Sequence, residues 1–298
     1  MGSPRRPVRN DEGAMSASES DQTVREFPFR HWLQLQRAGL AQRRGRDRFR
    51  REDFAVFLHD VVIPGLGRPW DGLRIAHLTD LHLGQWLSPS RLHGVVAWTN
   101  ELKPDLVALT GDYLSYDLDG SAAELERGFS ALSAPEGVFA TLGNHDHWVG
   151  ASRVRAILER SGIREIRNDV VTLNRDGAGL HLAGVDDVMV GQDRFEQVLA
   201  NLPPDGPAVL LAHEPDFADT AARAGRFGLQ LSGHSHGGQI ILPRFGPLIR
   251  GPHFWKYPVG RYQVGGMTLY TNRGLGSNMW WLRINCPPEI AILTLRSG

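Results

Sequence analysis

Beyond residue 73 the chain alternates short apolar runs with stretches of helical period. LRIAHLTD (73–80), DLVALTGD (105–112) and GVFATLGNHD (137–146) are nearly unbroken apolar runs that end in polar residues. Runs of that length, bounded by glycine and polar positions, predict strands buried on both faces. Between them the pattern predicts helices at 89–102, 121–132 and 151–161, the last opening at Ser152. Strand–helix repetition of this kind implies βαβ units and a mainly parallel sheet.

The second half changes character. VVTLN (170–174), LHLAGV (180–185), AVLLAH (208–213), LQLSGH (229–234) and QIIL (239–242) read as strands, with helices near 193–201 and 216–223. GRYQVGGMTLYTN (260–272) reads as a hairpin turning at Gly265 and Gly266, and PEIAILTL (288–295) as a closing strand. Two sheets packed face to face, with helices outside, accommodate these elements, and no internal repeat is evident.

Composition adds little to this until it is divided along the chain. Of 298 residues 41% are hydrophobic and the formal net charge is zero. Residues 1–51, however, hold 12 arginines against 6 acids, so the other 247 residues carry a balance of −6. A basic arm is thus joined to an acidic body, which does not indicate a nucleic-acid partner. Residues 1–24 are polar and rich in Ser, Gly and Pro, and are expected to be a disordered tail. Residues 25–52 form the arm: Phe27, Phe29, Trp32, Leu33, Leu35 and Leu40 precede Arg43, Arg44, Arg46, Arg48, Arg50 and Arg51. Two readings stand for 27–51, a helix lying on an anionic membrane surface and a solvated basic helix packed on the body. Neither arginine pair (5–6, 43–44) precedes the apolar segment of about 7–15 residues that a signal peptide needs. No apolar run approaches the roughly 18 residues of a spanning helix. The body is assigned to 53–298. Its single cysteine, Cys286, excludes an intrachain disulfide and a cysteine-built zinc site.

The candidate chemistry lies where the apolar runs stop. Five strand ends deliver Asp80 and His82; Asp112; Asn144, His145 and Asp146; His213; and His234 with His236. Ligands of open α/β sheets bind beyond the carboxyl ends of strands. The i, i+2 spacing of Asp80/His82 and of His234/His236 would point each pair to one side of an extended segment. Gly111, Gly143, Gly233, Gly237 and Gly238 flank these positions. Carboxylates, one amide and several imidazoles, without thiolate, suit two divalent cations sharing one carboxylate, with Mn, Fe or Zn favoured over Ca and Mg.

DLH (80–82), GD (111–112), GNHD (143–146), His213 and GHSH (233–236), in that order, resemble the motifs of the calcineurin-like metallophosphoesterase superfamily over residues 73–296. HLTDLHLG, LTGD, LGNHDHW, LAHEPD, SGHSHGGQI and the ending RGLG…PPEIAILTL resemble a bacterial branch. It includes YkuE- and YaeI-type phosphodiesterases and a UDP-diacylglucosamine pyrophosphohydrolase. The resemblance implies an α/β fold, a four-layer αββα sandwich of two mixed β-sheets flanked by helices. It implies that Asp80, His82 and His236 hold one metal, that Asn144, His213 and His234 hold the other, and that Asp112 bridges them. A hydroxide between the metals would attack phosphorus, and His145 would hydrogen-bond the phosphate or protonate the leaving oxygen. Many relatives carry an aspartate three residues beyond the bridging one; here that residue is Ser115. Ser115, Asp117 and Asp146 are the candidates to orient His145 in its place.

The remaining histidines match no motif, although His147 and Trp148 follow the GNHD turn and are candidate pocket residues. Arg273, in NRGLG, is the first candidate for binding phosphate oxygens. Phe254, Trp255, Tyr257, Met279, Trp280 and Trp281 would rim the site with apolar surface or else cover the open end of the core. Three readings follow. One is a phosphodiesterase or pyrophosphohydrolase for a lipid-linked phosphate ester such as UDP-2,3-diacylglucosamine. Another is a soluble esterase for nucleotides or other small phosphates, and the third a scaffold without turnover. A cytoplasmic protein, peripheral at the inner face of the membrane, is the expected setting.

Overall fold

The computed structural model describes residues 37, 40, 44–116, 118–277 and 281–298. The expectations for the tail, most of the arm, Asp117, Met279 and Trp280 lie outside the described residues.

A first run of elements comprises β1 (Ala55–Ile63), β2 (Arg74–Leu78), α1 (Pro89–Glu101), β3 (Leu106–Thr110), α2 (Ala122–Ser130), β4 (Val138–Thr141), α3 (Asn144–Arg160) and β5 (Arg164–Glu165). A second comprises β6 (Asp169–Arg175), β7 (Ala178–Gly184), α4 (Phe195–Asn201), β8 (Ala208–Leu211), α5 (Ala218–Ala224) and β9 (Leu229–Ser232). The chain then forms a small hairpin of β10 (Ile241–Leu242) and β11 (Gly246–Pro247). A larger hairpin of β12 (Gly260–Val264) and β13 (Met267–Thr271) follows, before β14 (Glu289–Ser297). Local chemistry fits several boundaries. Ser88 Oγ accepts the Arg91 N–H ahead of Pro89 at the start of α1, and left-handed Gly225 ends α5.

One six-stranded sheet has the order β1-β14-β2-β3-β4-β5, parallel except where β14 meets β2. The other, β12-β13-β9-β8-β7-β6, is parallel inside and antiparallel at both edges. Alternate residues along the strands enter different cores. Ile75, Leu106, Ala108, Leu293, Val209, Leu211, Leu229 and Leu231 meet between the sheets. Ala76, Val107, Leu109 and Ile292 pack on Leu92, Val95, Phe129 and Ile157 of α1–α3. Ala208, Leu210 and Leu269 pack on Val198, Phe217 and Ala221 at the other side. Both faces of each central strand are therefore covered, which is why these strands read as unbroken apolar runs. The result is the four-layer αββα sandwich with two mixed sheets.

Three expectations change. The third helix starts at Asn144, not 151, because GNHD already forms its first turn. Gly150, at φ 118°, interrupts the helix just before Ser152. The expected strand at 239–242 shrinks to the two residues of β10. The nine-residue β1 was not anticipated; it pairs in parallel with β14, more than 230 residues away in sequence. Phe49, upstream of the assigned body, also packs beside Phe54 and Trp98, with ring centroids 5.5 and 6.2 Å away.

Candidate metal centre

Each of the parallel strands β2, β3, β4, β8 and β9 stops two or three residues before the first residue of the constellation, so the polar tails leave the sheets as loops and meet at one end of the sandwich. The extended geometry expected for Asp80/His82 and His234/His236 is not what aims them. Asp80, His82, Asp112, His234 and His236 all hold positive φ, between 45° and 65°. Residues with a Cβ rarely adopt this region, and such strain collects at functional sites. The tight left-handed turns bring side chains from both sheets to one point.

The cluster is dense and dry. Groups of possible ligand atoms lie within 4.8 Å of one another in three sets: Asp80, His82, His236; His82, Asp112, His145; and Asp112, His213, His234. His82 Nε2 faces His236 Nε2 at 2.9 Å, and His234 Nδ1 faces His213 Nε2 at 3.2 Å. Asp112 Oδ2 lies 3.5 Å from His82 Nε2 and 3.3 Å from His213 Nε2, so one carboxylate oxygen serves both halves. Asn144 Oδ1 is buried without a hydrogen-bond partner among the described residues. A buried amide oxygen in that state fits a cation ligand, since leaving an acceptor unsatisfied costs about 1–3 kcal/mol.

The surroundings orient these groups. His213 Nδ1 donates to the Thr110 carbonyl at 2.6 Å, which directs Nε2 inward. His82 Nδ1 hydrogen-bonds Ser115 Oγ at 2.5 Å. Asp80 accepts the His234 N–H at 2.9 Å and the Thr79 hydroxyl at 2.9 Å; Asp112 Oδ1 accepts the His145 N–H at 2.9 Å. Gly143 and Gly233 permit these contacts. A Cβ on the first would lie 2.4 Å from Asp112 Oδ1, and on the second 2.2 Å from Asp80 Oδ2. Burial, with Asp112 close by, raises Asp80 to about 7. Burial would raise Asp112 as well, but His213 and His145 outweigh it and hold the carboxyl well below its usual range. Burial pushes His82 and His236 well below the ordinary imidazole value, and His234 down to about 4, leaving neutral rings with lone pairs to offer. His213 runs the other way: burial is overcome by Asp112, which favours positive charge there. Neutral imidazoles around a place that attracts positive charge are what a divalent cation needs.

His145 sits at the edge of this cluster. Its ring is perpendicular to that of His82, with centroids 4.8 Å apart, and Trp148 packs against it at 4.7 Å. Its Nδ1 lies 3.0 Å from the carbonyl oxygen of Ser115. A carbonyl can only accept, so Nδ1 carries the hydrogen and Nε2 is the nitrogen left to face a substrate. The backbone of Ser115 thus orients His145, whereas its hydroxyl is engaged by His82. Asp146 is turned elsewhere: its carboxylate accepts the N–H groups of Asp112, Tyr113 and Gly143.

The other candidates divide. Trp148 joins the site, as described. His147 Nε2 meets Asp186 Oδ1 at 2.7 Å, and Asp186 also receives Arg155 at 3.0 Å and Arg167 at 3.1 Å. Arg273 turns its guanidinium to buried Glu289 at 2.7 Å and over the Phe57 ring. The guanidinium that reaches the cluster is that of Arg283, whose Nη2 is 3.5 Å from His236 Nδ1 and 2.8 Å from the Arg273 carbonyl. No motif surrounds Arg283, and only the path of the chain from 272 to 288 brings it there.

Sequence comparison agrees with this geometry. Residues 73–238 match the model of the calcineurin-like phosphoesterases. The chain is 38% identical over 245 residues to the metallophosphoesterase YkuE of Bacillus subtilis, covering 80% of this chain and 84% of that protein. It is 33% identical over 226 residues to the phosphodiesterase YaeI of Escherichia coli, covering 74% and 82%. The matched segment spans all five strand ends that converge on the cluster. Fold, dense ligand set and relatives thus point the same way, and the chain belongs to the calcineurin-like metallophosphoesterases, in the YkuE/YaeI-type branch, as a metal-dependent phosphoester hydrolase.

Proposed function

We propose that the protein hydrolyses a phosphodiester or pyrophosphate bond in a lipid-linked substrate, such as UDP-2,3-diacylglucosamine, at the cytoplasmic face of a membrane. In this reading Asp80, His82 and His236 hold one divalent ion and Asn144, His213 and His234 the other, with Asp112 shared. Manganese is the first choice, given hard oxygens and imidazoles without thiolate. When bound, such a pair lowers the pKa of water and neutralises charge on the phosphoryl oxygens. The protein's own contribution is positional. Asp112 stands between the two histidine groups. His145, fixed through Nδ1, holds Nε2 ready to donate to a phosphoryl oxygen or to the departing oxygen. Trp148 packs beside that ring and helps to hold it in place.

The lipid part is carried by one observation, an exposed apolar surface bordering the site. Phe245 is 83% exposed, Trp255 63% and Leu248 59%, with Leu282 and Ile284 also open to solvent. Trp255 follows Phe254, whose ring packs against His234 with centroids 5.3 Å apart. Contiguous exposed apolar side chains near a polar site suit an acyl chain or a bilayer surface. Among the described residues no helix is long and apolar enough to cross a membrane.

The experiment is Mn²⁺-dependent hydrolysis by purified protein, comparing bis-p-nitrophenyl phosphate with UDP-diacylglucosamine in detergent micelles. Rapid release of UMP with slow generic turnover is expected. Turnover of the generic diester alone would remove the lipid substrate and retain the phosphodiesterase.

A further inference from the structure

Segment 44–53 runs across the turn that follows His82 and leaves a cleft of about 570 Å³ between itself and the body. Five arginines line it: Arg37, Arg44, Arg46, Arg50 and Arg91. The one carboxylate in the wall, Asp53, is already paired with Arg50 at 3.2 Å. Arg91 is 5% exposed and donates to the carbonyls of Trp86 at 2.5 Å and Arg46 at 2.6 Å, which anchor it without cancelling its charge. Arg44 and Arg46 are exposed and have no carboxylate partner among the described residues. Among the described residues five guanidiniums line this concave space against the carboxylate of Asp53, with Asp47 acting on Arg91 from nearby, and the surplus of positive charge favours an anion there.

The rest of the wall makes the cleft more than a charged surface. Trp86 lies under the Arg91 guanidinium, 4.1 Å from its ring centroid, and Trp281 lines the opposite loop. The Nε atom of Arg91 and Nε1 of Trp281 are both buried donors without hydrogen-bond partners among the described residues. Burying such donors unsatisfied is costly, and native structures have few of them. Forked guanidiniums match phosphate oxygens geometrically, whereas a lone carboxylate would leave most of them unanswered.

We infer that this cleft is a second anion site, distinct from the metal cluster, for a ligand bearing a phosphate group with two or more negative charges nearby, presented either as a soluble polyphosphate or as the headgroups of an anionic bilayer. It does not depend on which ester the metal centre cleaves. Its position still couples it to that centre. Trp86 stands on the turn in which the Gln85 N–H bonds the His82 carbonyl at 3.2 Å. Trp281 stands on the segment whose Gly276 N–H bonds the Asp80 carbonyl at 2.7 Å. A ligand held in the cleft therefore meets Trp86, on the loop that carries Asp80 and His82, and Trp281, on the segment hydrogen-bonded to Asp80.

The test uses the full-length, Mn²⁺-loaded protein with two probes. Inorganic pyrophosphate, kept below the free Mn²⁺ concentration, is followed by calorimetry. Vesicles of phosphatidylcholine, with and without 30% phosphatidylglycerol, are followed by sedimentation. The variant is Arg44→Glu with Arg46→Glu, at two exposed positions; Arg44→Lys with Arg46→Lys keeps the charge. Asp112→Asn serves as the control for binding at the metal centre. At least tenfold weaker pyrophosphate binding in the glutamate variant, with Asp112→Asn and the lysine variant within threefold of the parent, establishes the site for a soluble polyphosphate. The same pattern on phosphatidylglycerol vesicles, with pyrophosphate unbound, establishes it for a lipid headgroup. If the glutamate variant binds both probes like the parent, if neither probe binds the parent, or if binding vanishes only in Asp112→Asn, the inference is overturned.

Discussion

At the scale of single residues, the division of labour at Ser115 is the most consequential detail. Its hydroxyl engages His82 and its carbonyl engages His145, so a side-chain change separates the two effects. Ser115→Ala is expected to weaken metal binding about tenfold, the lower range for lost outer-sphere partners, while kcat at saturating metal stays within about threefold of the parent. Metal titration and kcat at saturating metal measure the two. His145→Ala should instead retain both metals, by elemental analysis, and lose about 10²–10⁴-fold in kcat, the usual contribution of a positioned acid or base. Release of metal from that variant would show that His145 is a ligand. The positions of Asp80, Asp112 and the histidines were legible as polar interruptions at the ends of apolar runs. Their left-handed φ values were not, because a backbone turn is set by what the loops pack against. Arg283 was equally hidden, since nothing near it in sequence marks its approach to His236.

At the scale of elements, the GNHD turn links the helix to the site. Asn144 opens α3, and the same first turn holds Asp146 against the backbone of Asp112 and Tyr113. Expecting the helix only from Ser152 followed from treating GNHD as a strand end, which its apolar approach resembles; the break at Gly150 completed the disguise. One turn further along, His147, Arg155 and Arg167 converge on Asp186, whose side chain is 1% exposed. Burial alone would raise this carboxyl, but the hydrogen bond from His147 and the charges of His147 and Arg155 outweigh it, and its pKa is lowered. A depressed carboxyl contributes stability above the ordinary carboxylate pKa of about 3.9, and that contribution is lost as pH falls through the lower folded value. Asp186→Ala should cost about 3 kcal/mol in urea unfolding at pH 7, and the gap between variant and parent should narrow in strong acid. Gly233→Ala tests the other face of the site. Its Cβ would displace Asp80 or Thr79 Oγ1, each at 2.2 Å, so metal binding should fall with the fold retained by circular dichroism.

At the scale of the whole molecule, the two sheets present their loops to one end, where the ligand groups meet. If the patch receives lipid, Phe245→Ser with Leu248→Ser should lower the ratio of micellar UDP-diacylglucosamine turnover to bis-p-nitrophenyl phosphate turnover about tenfold. An unchanged ratio would assign the patch no part in substrate capture. Alternation of buried positions, the order of the five strand ends and the chemical identity of the constellation are properties of neighbouring residues, and they could be read along the chain. They determined two packed sheets with outer helices and a hard, nitrogen-rich cation site. Tertiary structure decided what depends on partners distant in sequence. It paired β1 with β14, joined Phe49 to the core and drew Arg273 to Glu289 rather than toward solvent. It also folded the arginines of 44–50 over the turn after His82. The reason is physical: burial and backbone period are local signals, whereas register, ion pairing and the shape of a cleft arise from contacts between segments that only folding brings together.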